Sequence, residues 1–191
     1  MKVVAFNGSA RKGGNTADMI RMVFAELEAE GIETELVELS GKRMDGCIAC
    51  SKCFENRDRR CAVTRDFMND CITRMDEADG IILGSPTYFG NVSTEMKALI
   101  DRAGMVALAN DSMFARKVGA AVVACRRGGA MQTFNALNTF FFIEQMIVPG
   151  SRYWNMGIGM NKGEVQQDAE GLETMKTLGQ NMAWLLKKLH A

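Results

Sequence analysis

Four cysteines stand close together at Cys47, Cys50, Cys53 and Cys61, in the pattern C-x2-C-x2-C-x7-C. Short turns between thiolates let a loop curl around a soft metal centre. Three tightly spaced thiolates and one further along suit a [4Fe–4S] cube, with one thiolate per iron. A structural zinc site more often uses two separated C-x2-C knuckles and is the second reading. Thiols that hold no metal are the third. Cys71 is an alternative fourth ligand, but it falls on a helical pattern, and Cys61 is preferred.

A second group of reactive residues follows the apolar run Val3-Val4-Ala5-Phe6, which breaks into a loop rich in Gly, Ser, Arg, Lys, Asn and Thr. A strand that ends in such a loop and re-enters as a helix can hold an anion, because the first N–H groups of a helix have no internal partner. Ser9, Asn15 and Thr16 add side-chain donors, and Gly8, Gly13 and Gly14 allow close backbone approach. Neither the GxxxxGKS/T nor the GxGxxG pattern is present, so this is a different phosphate loop. Its alternative is a plain strand–helix connection.

Two further loops end strand-like runs. One is Gly84-Ser85-Pro86-Thr87-Tyr88-Phe89-Gly90-Asn91. Pro86 fixes the turn, Tyr88 and Phe89 offer flat apolar faces, Gly90 lets backbone approach, and Asn91 or Ser93 can cap the next helix. The other is Ala124-Cys125-Arg126-Arg127-Gly128-Gly129. Without a ligand these loops would be ordinary turns, a solvated arginine pair and a small core cysteine.

The elements that must position these loops alternate along the chain. Strands are expected at 2–7, 33–38, 80–85, 117–124 and 146–150, and helices at 15–30, 66–77, 92–103, 130–145 and 168–189. GIILG and VGAAVVAC are apolar on consecutive residues, as in strands buried on both faces. Strict β/α alternation predicts a parallel sheet with helices on both faces, an α/β three-layer sandwich in one domain over 1–191; five strands fit the order 2-1-3-4-5, with ligands at the carboxyl ends of the strands. Residues 40–65 and 150–167 are expected to be irregular.

Bulk properties exclude several classes. The 191 residues balance 23 basic against 23 acidic side chains, so neither nucleic acid nor an anionic membrane is an expected partner. Apolar runs are too short for a membrane span, and no signal-peptide pattern opens the chain, so a cytoplasmic location is expected. Disulfides are not expected there. The fifteen Met residues suit soft core filling. The single histidine, His190, removes His-based catalysis and His-based metal sites, so a cofactor must carry any hard chemistry.

GSARKGGNT at 8–16 resembles the phosphate loop of the flavodoxin-like NAD(P)H-dependent FMN reductases, whose pattern runs roughly GSxRKxGNT. SPTYFGNVS at 85–93 resembles their second flavin loop, SPxYxGNxS, and the cysteines resemble those of the iron–sulfur flavoprotein branch. The resemblance covers nearly the whole chain. It implies that Ser9, Arg11, Lys12, Gly14, Asn15 and Thr16 hold the FMN phosphate. Pro86, Thr87, Tyr88, Phe89, Gly90 and Asn91 would line ribityl and ring, and Cys125, Arg126, Gly128 and Gly129 would border the isoalloxazine. Arg126 or Arg127 would stabilise a reduced flavin or meet a nicotinamide-cofactor phosphate. Cys47, Cys50, Cys53 and Cys61 would bind a [4Fe–4S] cluster. Tyr153 and Trp154 would cover a flavin or pack between subunits.

The resemblance also implies an FMN-dependent oxidoreductase that passes electrons between NAD(P)H or a ferredoxin-like donor and an acceptor, as a homodimer or homotetramer. Two alternatives are an NAD(P)H:FMN or quinone reductase without a cluster, and a flavin-binding carrier or regulatory module without turnover. Cys53 and Arg59 also share the C-x5-R spacing of tyrosine phosphatases. In that chemistry the loop joins the first strand to the first helix and ends in Arg-Ser/Thr. Here Arg60 follows Arg59, and phosphatase activity is set aside.

Overall fold

The computed structural model describes residues 1–191. Strands β1 (Lys2–Asn7), β2 (Glu33–Glu38), β3 (Gly80–Pro86), β4 (Val118–Cys125) and β5 (Met156–Ile158) form one parallel sheet in the order β2-β1-β3-β4-β5. This is the expected flavodoxin-like α/β order. Helices are α1 (Asn15–Ala29), α2 (Lys52–Asn56), α3 (Met68–Glu77), α4 (Thr94–Ala109), α5 (Ala130–Ile143) and α6 (Ala169–Leu189), with a 3-10 turn at Glu164–Gln167. No helix is long and apolar enough to cross a membrane.

Strand residues alternate between two cores. Val4, Phe6, Ile81 and Leu83 face α3, α4 and α5, whereas Val3, Ala5, Ile82 and Val122 face α1 and α6. Both faces of the central strands are therefore buried, which is why β3 and β4 carry unbroken apolar runs.

The expected fifth strand at 146–150 is a correction. Ile147 makes one parallel bridge to Val118 and there the pairing stops. Pro149 has no N–H to offer a ladder, and the chain leaves the sheet edge. It returns at Asn155, where the Val123 N–H donates to the Asn155 carbonyl (3.0 Å), and the Gly159 N–H donates to the Cys125 carbonyl (2.9 Å). Helix α4 also runs on past the expected end at 103. Gly104 does not stop it, because the missing side chain leaves room for Phe140 and Glu144. Helix α2 and the 3-10 turn fall inside the two segments expected to be irregular.

Candidate functional site

The carboxyl ends of β1, β3 and β4 deliver three loops to one cavity of about 220 Å³. Ser9, Arg11, Gly14, Asn15 and Thr16 line one side, Pro86, Thr87 and Tyr88 a second, and Ala124, Cys125 and Arg126 a third. Ligand pockets commonly run from about 300 Å³ upward, so a nucleotide-sized ligand seated here would stay partly outside.

The first loop is held from beneath by Asn7, fully buried at the end of β1. Its side-chain carbonyl accepts the Ser9 N–H (3.0 Å) and its amide donates to Glu38 (2.7 Å). Glu38 in turn accepts the Gly13 N–H at 3.3 Å, and the Ser9 hydroxyl accepts the Arg11 N–H at 3.2 Å. Helix α1 then begins with no side-chain cap on Gly14. Its first-turn N–H groups face the cavity end with no partner inside the helix, which is the electrostatic and hydrogen-bonding requirement for an anion.

Asn15 serves the loop instead of the cavity. Its amide donates to the Asn161 carbonyl (2.9 Å) and its carbonyl accepts the Gly163 N–H (2.8 Å). Arg11 donates to the Met160 carbonyl (2.8 Å), and Gly159, Met160 and Lys162 complete the cavity as a fourth wall. A Cβ at Gly159 would fall 2.7 Å from both the Asn15 amide and the Val165 nitrogen, so this approach requires glycine. This fourth wall was missed from sequence. Its signals were two glycines and a lysine in an irregular stretch, with no spacing to tie them to the first loop.

The second loop is pinned to the third, the Thr87 N–H donating to the Ala124 carbonyl at 2.8 Å. Tyr88 and Asn91 exchange backbone bonds (2.9 and 3.0 Å) across a tight turn with positive φ at Phe89 and Gly90. Gly129, at φ 83°, packs where a Cβ would lie 3.1 Å from Thr87 and 3.2 Å from Gly90. Ser93, not Asn91, caps α4 by accepting the Met96 N–H. The Thr87 hydroxyl is buried and has no hydrogen-bond partner, on a residue that lines the cavity. Burial pushes the Cys125 thiol up, so it stands neutral on the cavity wall.

Not every expected residue lines the cavity. Lys12 is exposed beside it, and Phe89, Gly90, Asn91, Gly128 and Gly129 lie outside its wall, Phe89 fully in solvent. Tyr153 and Trp154 stack edge to face at 4.5 Å in a separate groove with Phe134, Phe142 and Pro149.

All four clustered cysteines line one apolar pocket with Ile48, Ala49, Ala62, Val63, Met105 and the buried Arg102. All six cysteines of the chain carry free thiols. Cys47 and Cys50 are exposed, while Cys53 and Cys61 are half-buried. Ala49 and Ser51, on either side of Cys50, both adopt positive φ (51° and 56°), a strained conformation that surroundings must hold. Burial raises the Cys53 thiol, and the neighbouring Cys61 and Cys50 sulfurs raise it further. No three His, Cys, Asp or Glu side chains are drawn together around a point where one metal ion would sit. Cys71 is fully buried in the core, where burial pushes its thiol to about 12, and it does not reach the pocket.

The charged gap before Cys61 is a tether. Arg59 pairs with Asp76 while its N–H donates to Asn110 (3.0 Å), and Cys61 and Asn69 exchange backbone-to-side-chain bonds at 2.8 and 2.9 Å. Arg102, Asp66, Asn69 and Asn110 were not expected from sequence: Arg102 and Asn110 sit far along the chain, and Asp66 and Asn69, though near Cys61, fall outside the cysteine spacing.

Residues 1–161 match the family described as NADPH-dependent FMN reductase. The chain is 39% identical to an iron-sulfur flavoprotein of Methanocaldococcus jannaschii over 98% of each chain, and 33% identical to an iron-sulfur flavoprotein of Methanosarcina thermophila, covering 98% of this chain and 96% of that one. Among solved structures it resembles RosB holding a formylriboflavin phosphate intermediate (TM-score 0.76, 15% identity, all of this chain and 80% of that one). It also resembles a WrbA-like flavodoxin from Agrobacterium tumefaciens (TM-score 0.65, 19% identity, 98% and 97%). At those identities the structural likeness concerns the fold.

Proposed function

The chain belongs to the NADPH-dependent FMN reductase family and is an FMN-dependent oxidoreductase, and from that premise we propose that it is a single-domain electron-transfer flavoprotein with two redox sites. FMN occupies the three-loop cavity and a [4Fe–4S] cluster the thiol pocket. The observation that carries the flavin site is the uncapped start of α1 facing the same cavity as the orphaned Thr87 hydroxyl. A phosphate and a polyol are the groups that would satisfy both.

In this reading the first-turn N–H groups of α1, with Ser9, Thr16 and Arg11, take the phosphate. Thr87 meets the ribityl chain. Tyr88 flanks the ring, and Cys125 and Arg126 border it. Lys12 adds charge from the rim. Bound FMN supplies the ability to exchange electrons in pairs or singly. Cys47, Cys50, Cys53 and Cys61 hold the cluster, which supplies single-electron transfer. The four thiols on one apolar wall, two of them at the surface, support this placement.

The redox partner is NAD(P)H or a ferredoxin-like donor, in the cytoplasm, and the working form is a homodimer or homotetramer. Exposed Phe89, Phe142, Ile143, Tyr153 and Trp154 supply apolar surface for association. Anaerobic purification followed by a visible spectrum and iron and sulfide analysis tests the proposal. Flavin bands with a broad shoulder and about four irons per chain are expected. Protein that stays colourless after soaking in FMN overturns the flavin site. Flavin without iron leaves a reductase lacking the cluster.

A further inference from the structure

Arg102 is the most buried cation in the molecule, with a side chain 1% exposed inside α4. Burying a guanidinium costs several kcal/mol unless its charge and its N–H groups are all answered. The answers here are unusual in kind. Asp66, itself 0% exposed, neutralises the charge through both guanidinium amino groups. The carbonyls of Asp45 and Val63, on either side of the cysteine motif, each accept a bond at 2.9 Å. The remaining donor, Nε, points at one sulfur, Cys61 Sγ, at 3.4 Å, and Nη2, which divides its two N–H groups among Asp66, Val63 and the same sulfur, lies 3.3 Å from it. A neutral thiol is a weak acceptor. One dedicated N–H and a second, shared one from a buried cation suit a sulfur that carries negative charge.

We infer that Arg102 is a positioning residue that fixes Cys61 as the fourth cluster ligand and raises the midpoint potential of the cluster. The inference rests on the proposed [4Fe–4S] site and goes beyond it by assigning a residue outside the cysteine motif. Reduction of a cluster adds one electron, with no bond made or broken, and places more negative charge on its ligand sulfurs. Donors and a cation aimed at such a sulfur stabilise the reduced form more than the oxidised one. Asp66 acts oppositely, because it screens the guanidinium. Burial pushes the Asp66 carboxyl up, but the Arg102 guanidinium and the Asp45 N–H outweigh it and hold the group below the usual range, so it is ionised. A lysine could face Asp66, yet its ammonium lacks the planar fork that reaches a carboxylate, two carbonyls and a sulfur together.

The test uses anaerobically prepared full chain with both cofactors, titrated against redox mediators. The cluster is followed by electron paramagnetic resonance and the flavin by its visible bands. Arg102→Lys is expected to cut the reduced-to-oxidised ratio of the cluster about tenfold at the wild-type midpoint, equivalent to about 59 mV for one electron. Asp66→Asn is expected to move the cluster the other way. Flavin content and flavin potential should hold in both variants. Opposite movements would not follow from a merely structural role. Cluster potentials that stay fixed, or move with one sign in both variants, overturn the assignment. Should Arg102→Lys shed its iron, the upward shift in Asp66→Asn decides alone. Wild-type protein without iron would instead overturn the cluster reading on which the assignment rests.

Discussion

The two candidate sites are built by opposite means. The three-loop cavity is the more polar of the two: loops at neighbouring strand ends, each tied to the next by backbone bonds and braced beneath by Asn7, Glu38 and Asn15, with an uncapped helix start. The thiol pocket is apolar and stands on side chains. Its loop is fastened by Arg102, Asp66, Asn69 and Asn110 from outside the cysteine motif, and by its own Arg59 reaching Asp76. Topology brings the three loops of the first site together, because parallel strands end at one edge of the sheet. The second would drift without its long-range tethers. One consequence is that the two should fail independently.

The largest expected effect is at the thiols. Cys61→Ala removes one corner of the ligand set and should abolish the cluster, measured as loss of iron and sulfide, while FMN stays bound in stoichiometric amount. Concurrent loss of flavin would break the comparison, since it would make the cysteine loop part of the flavin site. Next in size is the reverse case. Thr16→Val with Ser9→Ala removes two proposed phosphate donors and should raise the Kd for FMN about tenfold to a hundredfold. Iron content should be unchanged.

A smaller effect separates direct from indirect support within the flavin cavity. Asn15 spends its side chain on the Asn161 carbonyl and the Gly163 N–H. Asn15→Ala should therefore loosen the Gly159–Lys162 wall and weaken FMN about threefold to tenfold. Riboflavin, which has no phosphate, should weaken by a similar factor if Asn15 acts through the wall. A loss confined to FMN would instead make Asn15 a phosphate ligand.

This contrast also explains what was legible in the sequence. GSARKGGNT and SPTYFGN are contiguous, and alternating order places them at one sheet edge, so the cavity could be read from local residues. The parallel sheet followed from the same alternation, and its strand order from the flavodoxin-like resemblance. Gly159, Met160 and Lys162 could not be read, because the return of the chain to the sheet at β5 depends on where Pro149 ends the earlier pairing. That step is a competition between a missing N–H and sheet pairing, which apolar patterning does not display. The cysteine spacing announced a soft-metal loop, but nothing local announced Arg102. In sequence it is one more basic residue on an amphipathic helix, and its value comes from burial beside Asp66 and Cys61.

A third location sharpens the comparison. Asp66 and Glu144 are both buried acids, yet Asp66 has a guanidinium and Glu144 has nothing: neither of its oxygens finds a partner. It sits at the end of α5, against Gly104 and Phe140, on a groove that also touches Cys47. Burial pushes its pKa from 4.5 up to about 7. A carboxyl raised in the folded state loses stability as pH rises. The penalty is absent below about pH 4.5, grows between 4.5 and 7, and reaches on the order of 3 kcal/mol above 7. Glu144→Gln removes the ionisation while keeping the shape. Its buried amide brings a fixed cost of its own, so the offset between the two proteins is not informative, whereas the slope is. Relative to wild type, the variant should gain about 6–12 °C in melting temperature between pH 4.5 and pH 8. Parallel melting curves across that range would mean that Glu144 has found a partner in the assembled protein, and that its apparent isolation belongs to the single chain.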